Sequence, residues 1–200
     1  MSPPARPRGP GRVDPRVVRS RAAVIAATLD LLADRGIAAT TIDAVSERSG
    51  VAKTTIYRHW DGQPTLVMDA IGSLLEEPPL PDTGSLREDL VALLEGLASA
   101  LHSSPAAALM PALIEAAERD PAFAALHRTE AAHRHRVVRH VIDRGIERGE
   151  LPDDADVDAL VDLLTGPLFY RRWVSMGTVD AAFAGRVVDV VLSGCRRPPF

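Results

Sequence analysis

Residues 40–60 read Thr-Thr-Ile-Asp-Ala-Val-Ser-Glu-Arg-Ser-Gly-Val-Ala-Lys-Thr-Thr-Ile-Tyr-Arg-His-Trp. The Thr41 hydroxyl can cap a short helix that turns Ile42, Val45 and Ser46 inward and leaves Glu47 and Arg48 to solvent. Gly50 supplies the left-handed or otherwise strained backbone that stops this helix, and Val51 plugs the turn against the core. Ser46 is small where two steeply crossing helices approach most closely. A second helix, from about Lys53 to Trp60, then buries Ile56 and Trp60 at i,i+4 spacing and turns Lys53, Thr54, Tyr57 and Arg58 outward.

That outward set has the chemistry of a DNA-facing surface. Arg58 can pair bidentately with a guanine edge, threonine methyls or the Tyr57 ring can touch thymine methyls, and Lys53, Tyr57 and His59 can reach phosphates. Taken singly, each is an ordinary residue on the wet side of a small helical hairpin. Spaced as a set, they read as a recognition helix.

These residues resemble the N-terminal signature of the TetR-type one-component transcriptional regulators: Gly36 ending a long first helix, Thr40-Thr41-Ile42, a Gly50-Val51 turn, then Lys53-Thr54-Thr55-Ile56-Tyr57-Arg58-His59-Trp60. The match is dense over about residues 16–75 and specific in combination. The resemblance implies that Thr41, Lys53, Thr55, Tyr57 and His59 contact the DNA backbone and that Thr54 and Arg58 read bases. One position departs from it: Gln63, in Asp61-Gly62-Gln63-Pro64, stands where many such proteins carry a lysine, which weakens one phosphate clamp.

Charge is divided along the chain. Residues 1–63 hold ten Arg/Lys against six Asp/Glu, whereas residues 64–200 hold thirteen against twenty-one, within a total of −4. A basic head on an acidic body suits DNA docking at one end. The leader, residues 1–13, is too poor in apolar residues to fold, and its Arg6, Arg8 and Arg12 form either an arm for the minor groove or a solvated segment. No apolar run approaches the about 20 residues that cross a bilayer, and the leader is no secretory signal, so a cytoplasmic location without membrane partners is expected. Cys195, the sole cysteine, argues against a disulfide framework or a cysteine zinc site.

Working outward, Val18, Ala22, Ile25, Leu29 and Leu32 describe a first helix ending at Gly36, so residues 14–62 are expected to form a helix-turn-helix domain. From Pro64, Leu66, Val67, Ala70, Ile71, Leu74 and Leu75 predict a connecting helix over 63–77, with a linker over 78–84. Beyond it, residues 85–197 read as helices only. Ser85 with Glu88 forms a capping box for a helix to about His102; Ser104-Pro105 opens one that Pro111 should kink; Asp120-Pro121 opens the longest, to about Gly149. Asp156 and Thr178 mark the last two, with Gly166-Pro167 breaking or bending the first of these. The expected fold is all-α, a three-helix DNA-binding domain joined to a helical bundle for effector binding and dimerisation.

The stretch Arg148-Gly149-Glu150-Leu151, Asp158 and Gly166-Pro167-Leu168-Phe169-Tyr170-Arg171 also resembles one subgroup of TetR-type effector domains. That resemblance implies a two-fold dimer built by the last two helices, with Leu160, Leu163, Leu164, Pro167, Tyr170, Val187, Val190, Val191 and Gly194 as candidates, although their spacing equally fits a protomer core. A homodimer also suits the chemistry, because one short recognition helix reads too few base pairs and a two-fold pair doubles the site into an inverted-repeat operator. For a small-molecule effector, Met110, Leu113, Phe123, Leu126, Phe169 and Trp173 are candidate walls, and His102, Glu115, His127 and Arg128 candidate polar contacts; helical spacing fits plain core more readily.

Among His127, His133, His135 and His140 no two stand at the i,i+4 spacing that converges on a metal, so no metal or other cofactor is expected. There is no Gly-rich phosphate loop, no Gly-x-Ser-x-Gly elbow, and no histidine near Cys195, so no enzyme is expected. The reading is a DNA-binding repressor released by an effector. Its rivals are a helical dimer that binds an apolar ligand or protein without DNA, and a metal-dependent enzyme built around His133.

Overall fold

The computed structural model describes residues 15–75 and 79–195, so the whole arginine leader, residues 76–77 of the expected connecting helix and Pro78 of the expected linker lie outside the described residues. The described residues fall into two compact units, divided between Ala70 and Ile71. The described residues contain helices and no strand.

In the first unit, α1 (Pro15–Ala39) is interrupted at Gly36, whose φ of 74° and ψ of 179° belong to backbone that other residues adopt only under strain. Its buried face is Val24, Ala27, Thr28, Leu31 and Leu32, one position round from the expected stripe, and Val18 is exposed. Thr28 is the reason. Read as polar, it breaks the apolar pattern, yet its hydroxyl donates to the Val24 carbonyl (2.8 Å) and so sits fully buried without an unpaired group. Helices α2 (Ile42–Ser49) and α3 (Lys53–Ile56) follow, and Ile42, Val45, Ile56 and Trp60 meet Val24, Ala27, Leu31 and Leu66 in one core.

Helix α4 (Gln63–Gly72) carries the chain from one unit to the other and stops before the expected end at residue 77, in two tight turns closed by Leu74 N–H to Ile71 O and Leu75 N–H to Gly72 O. The second unit holds α5 (Leu86–Ser103), α6 (Pro105–Arg119), α7 (Pro121–Glu147), α8 (Val157–Phe169), a π turn (Tyr170–Val174) and α9 (Ala181–Gly194). Side-chain caps open them: Ser85, Ser104, Asp120 and Asp156 each accept a backbone N–H in the first turn, and the last helix starts at Asp180, which accepts from Phe183 N–H, rather than at Thr178. Pro111 lies inside α6, whose run is unbroken. Pro167 likewise does not break α8; the missing N–H is followed by a π turn in which Ser175 N–H reaches Tyr170 O at 3.0 Å.

The core of this unit lies between α5, α7, α8 and α9, with Leu90, Leu94, Val141, Ile142, Leu164, Leu168 and Val188 at its centre and α6 packed on α7. Gly145 lets α7 approach closely: a Cβ there would meet Leu86 Cδ2 at 2.8 Å.

Candidate nucleic-acid interface

The turn that positions the recognition segment is built from three local devices. Thr41 Oγ1 accepts from Ala44 N–H at 3.2 Å and caps α2. Gly50, with φ of 69°, ends it in the left-handed region, its N–H closing on Ser46 O. Ser46 Oγ then donates to the Val51 carbonyl at 2.8 Å, so the small residue at the crossing also ties the turn to α2. Arg48 reaches Asp34 at 3.4 Å and fastens α2 to α1.

The recognition segment is shorter as a helix than expected. Only Lys53–Ile56 is regular; from Tyr57 to Trp60 the chain continues in turns, with Arg58 N–H to Thr55 O, His59 N–H to Ile56 O and Trp60 N–H to Ile56 O. The tighter i→i−3 bonds let Trp60 swing into the core, where it is 5% exposed, while Ile56 is fully buried. Of the seven residues expected to touch DNA, Thr41, Lys53, Thr54, Tyr57, Arg58 and His59 are exposed, and Thr55 is half-buried. Lys53 Nζ stands 2.7 Å from Asp43 in a pair exposed on both sides, which water screens enough for a phosphate to replace the carboxylate. The Arg58 side chain makes no hydrogen bond or ion pair among the described residues and is free to read a base.

Behind this surface, Gln63 has a role its sequence position did not show, and Asp69 and Arg21 lie outside the residues singled out from the sequence. Gln63 Nε2 donates to the Ile37 carbonyl at 2.7 Å, so the residue that replaces the expected lysine is spent on bracing the break in α1. Asp69 of α4 accepts the Trp60 indole N–H at 2.8 Å and holds Arg21 of α1 at 2.6 Å. Arg21 lies over the Trp60 ring at 5.9 Å, and the His59 ring meets Trp60 edge-on at 5.6 Å. A lone acid inside the apolar run Leu66-Val67-Met68-Asp69-Ala70-Ile71 was the available signal.

In the second unit, the expected effector-binding residues differ in burial. Leu113 and Phe123 are buried, Met110, His127, Phe169 and Trp173 are half-buried, and His102 is exposed. Phe169 and Trp173 contact each other at 5.2 Å. An open cleft of about 480 Å³ is lined by Pro167, Tyr170, Arg171, Ser175 and Phe183, and another of about 700 Å³ by residues including Leu86, Arg87, Glu150, Asp189 and Cys195. His127 retains one feature of a binding group: its Nδ1 is buried with no hydrogen-bond partner, and burial, then the nearby Arg134 charge, lowers its pKa below the ordinary histidine value.

The expected dimer residues divide. Leu163, Tyr170 and Val190 are 55%, 60% and 70% exposed, Gly194 is exposed, and Pro167 and Val191 are half-buried. Val187, with Leu160 and Leu164, belongs to the protomer core. Val174 and Met176, which the sequence reading passed over, add exposed apolar surface beside Tyr170.

Among the described residues, no group of three or more His, Cys, Asp or Glu is placed to hold a metal ion, and no single helix is long and apolar enough to cross a membrane.

Comparison with known proteins agrees with this arrangement in both units. The family of bacterial regulatory proteins of the tetR type matches residues 24–67, and the tetracyclin repressor-like C-terminal domain matches residues 80–191. The uncharacterized HTH-type transcriptional regulator YdeS of Bacillus subtilis is 32% identical over 90% of this chain and 89% of its own length. The DNA-binding transcriptional repressor TetR of Mycobacteroides abscessus is 33% identical over 88% and 94% respectively. The crystal structure of the TetR family transcription regulator SCO0332 superposes with a TM-score of 0.71 at 31% identity, covering 90% of this chain and 100% of that one. With a helix-turn-helix of this geometry and matches spanning both units, the chain belongs to the tetR family of bacterial regulatory proteins and is a DNA-binding transcriptional regulator.

Proposed function

We propose that this regulator is a homodimeric repressor that occupies an inverted-repeat operator in the cytoplasm and is released by a small molecule bound in its C-terminal unit. The observation that carries the reading is the exposed set Lys53, Thr54, Tyr57, Arg58 and His59 on a segment whose other side is pinned by Ile56 and Trp60. A surface of this size specifies only a few base pairs, and two copies related by a two-fold axis double the site. The exposed apolar residues Leu163, Tyr170 and Val190 support that second copy. Repression is supported by the 33% identity to a named repressor.

The buried, unpartnered His127 Nδ1 supports an effector contact on α7, because an unpaired buried polar atom costs stability unless a ligand uses it. An effector that favours a different separation of the two recognition segments lowers DNA affinity by no more than its own preference for that shape.

Selection of the purified protein on random duplex DNA at fixed moderate salt tests the operator half of this reading. The wild type should enrich an inverted repeat, and Arg58→Ala should lose at least about fivefold in affinity for it, since a bidentate base contact is worth about 1–3 kcal/mol. Enrichment of a single half-site, or an unchanged repeat with Arg58→Ala, would overturn the proposed geometry.

A further inference from the structure

We infer that Asp69 is a positioning residue for operator recognition, acting on the DNA-facing surface through the Trp60 indole. The inference rests on the reading that residues 53–59 contact DNA, and goes beyond it by assigning specificity to an acid on a different helix.

The recognition segment has few restraints of its own. Its regular part, Lys53–Ile56, is a single turn, and from Tyr57 the backbone bonds are a mixture of i→i−3 and i→i−4. A helix this short does not hold its own side-chain directions. What fixes its far end is Trp60, and the indole is held on three sides. Its ring is buried in the core with Ile56 and Leu66. Its N–H, which must find an acceptor when buried, has Asp69 Oδ2 at 2.8 Å. Its face lies under the Arg21 guanidinium at 5.9 Å, and Arg21 in turn grips both oxygens of the same carboxylate, at 2.8 and 2.6 Å.

The outward consequence runs through His59. Its ring packs edge-on against Trp60 at 5.6 Å, and Tyr57 and Arg58 precede it in the same turns. A Trp60 ring free to rotate about its side-chain torsions would take His59 with it and loosen the angle at which Arg58 meets a base edge. Non-specific attraction to phosphates depends on charge more than on angle and would survive. Asp69 thus separates two properties that are usually lost together: the ratio of specific to non-specific affinity depends on it, and the charge-driven affinity does not.

The full-length protein, the duplex it enriches and a scrambled duplex of equal length decide the matter. Asp69→Leu and Trp60→Phe should each weaken binding to the enriched duplex by about tenfold, the worth of a hydrogen bond to a charged group. Affinity for the scrambled duplex should stay within about threefold. The double variant should lose no more than either single one, because both remove the same bond. Asp69→Asn, which keeps an oxygen for the indole N–H, should restore most of the specific affinity.

Additive losses, equal losses on both duplexes, an unchanged specific affinity, or an Asp69→Asn as weak as Asp69→Leu would each overturn the assignment. Trp60→Phe keeps the packed ring and carries the test if Asp69→Leu melts below the assay temperature. A wild type that enriches no duplex fails before any variant is compared; that outcome removes the DNA reading, and the role of Asp69 with it.

Discussion

The Thr41 hydroxyl has one proton and two lone pairs, and the structure uses only a lone pair, to accept Ala44 N–H at 3.2 Å. The proton stays available to a phosphate oxygen on the exposed side of the α2 N-terminus, and we propose that this one side chain both caps the helix and meets DNA. Thr41→Asp separates the two uses. Aspartate caps at least as well as threonine, so the melting temperature should hold or rise, but its charge repels the phosphate and has no proton to give. DNA affinity should therefore fall by about tenfold or more on specific and scrambled duplexes alike, read by fluorescence anisotropy. A parallel loss of stability, or unchanged affinity, would count against the dual role. Thr41 and Gly50 were legible in the sequence because a cap and a left-handed turn are local events. Thr28 was not, because its burial depends on a bond to its own helix that polarity scales ignore.

Among the elements, the least legible feature is the join between the segment before α5 and the end of α7. Asp89 of α5, with its side chain 0% exposed, accepts from Thr83 N–H and Oγ1 at 2.8 Å each, and from Arg144 at 3.1 Å; Arg144 also reaches Asp82 at 3.0 Å and the Pro81 carbonyl. Glu150 closes the other side, accepting Leu86 N–H at 2.9 Å and Arg148 at 2.6 Å. A separation of 55 residues between Asp89 and Arg144 hides such a pairing from any reading of local pattern. The caps at Ser85, Ser104, Asp120 and Asp156, by contrast, stand in adjacent residues and were all foreseen.

Burial pushes the Asp89 carboxyl pKa up, but the two Thr83 donors and the charges of Arg144 and Arg148 outweigh it and hold it below the ordinary aspartate value. A carboxyl whose folded pKa is depressed stabilises the fold above its unfolded pKa of about 3.9, and that stability is lost as pH falls through the folded value. Asp89→Asn should cost about 2 kcal/mol at neutral pH, less than a fully isolated buried pair because Arg144 and Arg148 keep Asp82 and Glu150. Denaturant titrations of both proteins should converge as pH drops below about 4. A difference that persists undiminished at pH 2 would show that packing, rather than charge, is what Asp89 supplies.

At the scale of the whole molecule, an acidic body that leaves apolar residues bare on its last elements has to be explained. Residues 64–200 carry thirteen basic against twenty-one acidic side chains, yet Leu163 of α8, Tyr170 and Val174 of the π turn, Met176 and Val190 of α9 all stand more than half exposed. Burying them against a second copy is the arrangement a two-fold operator needs, because an isologous contact presents the same residues from both sides. Leu163→Glu with Val190→Glu places two carboxylates on that face and removes nothing from the protomer core, so each chain should fold as before. Sedimentation should then report a monomer, and affinity for the enriched inverted repeat should fall by about a hundredfold or more, since each half-site must be bound without the other. Binding to a single half-site should change little. A double variant that still sediments as a dimer would place the contact elsewhere on the chain, whereas a monomer that keeps full affinity for the repeat would show that the two recognition segments act independently.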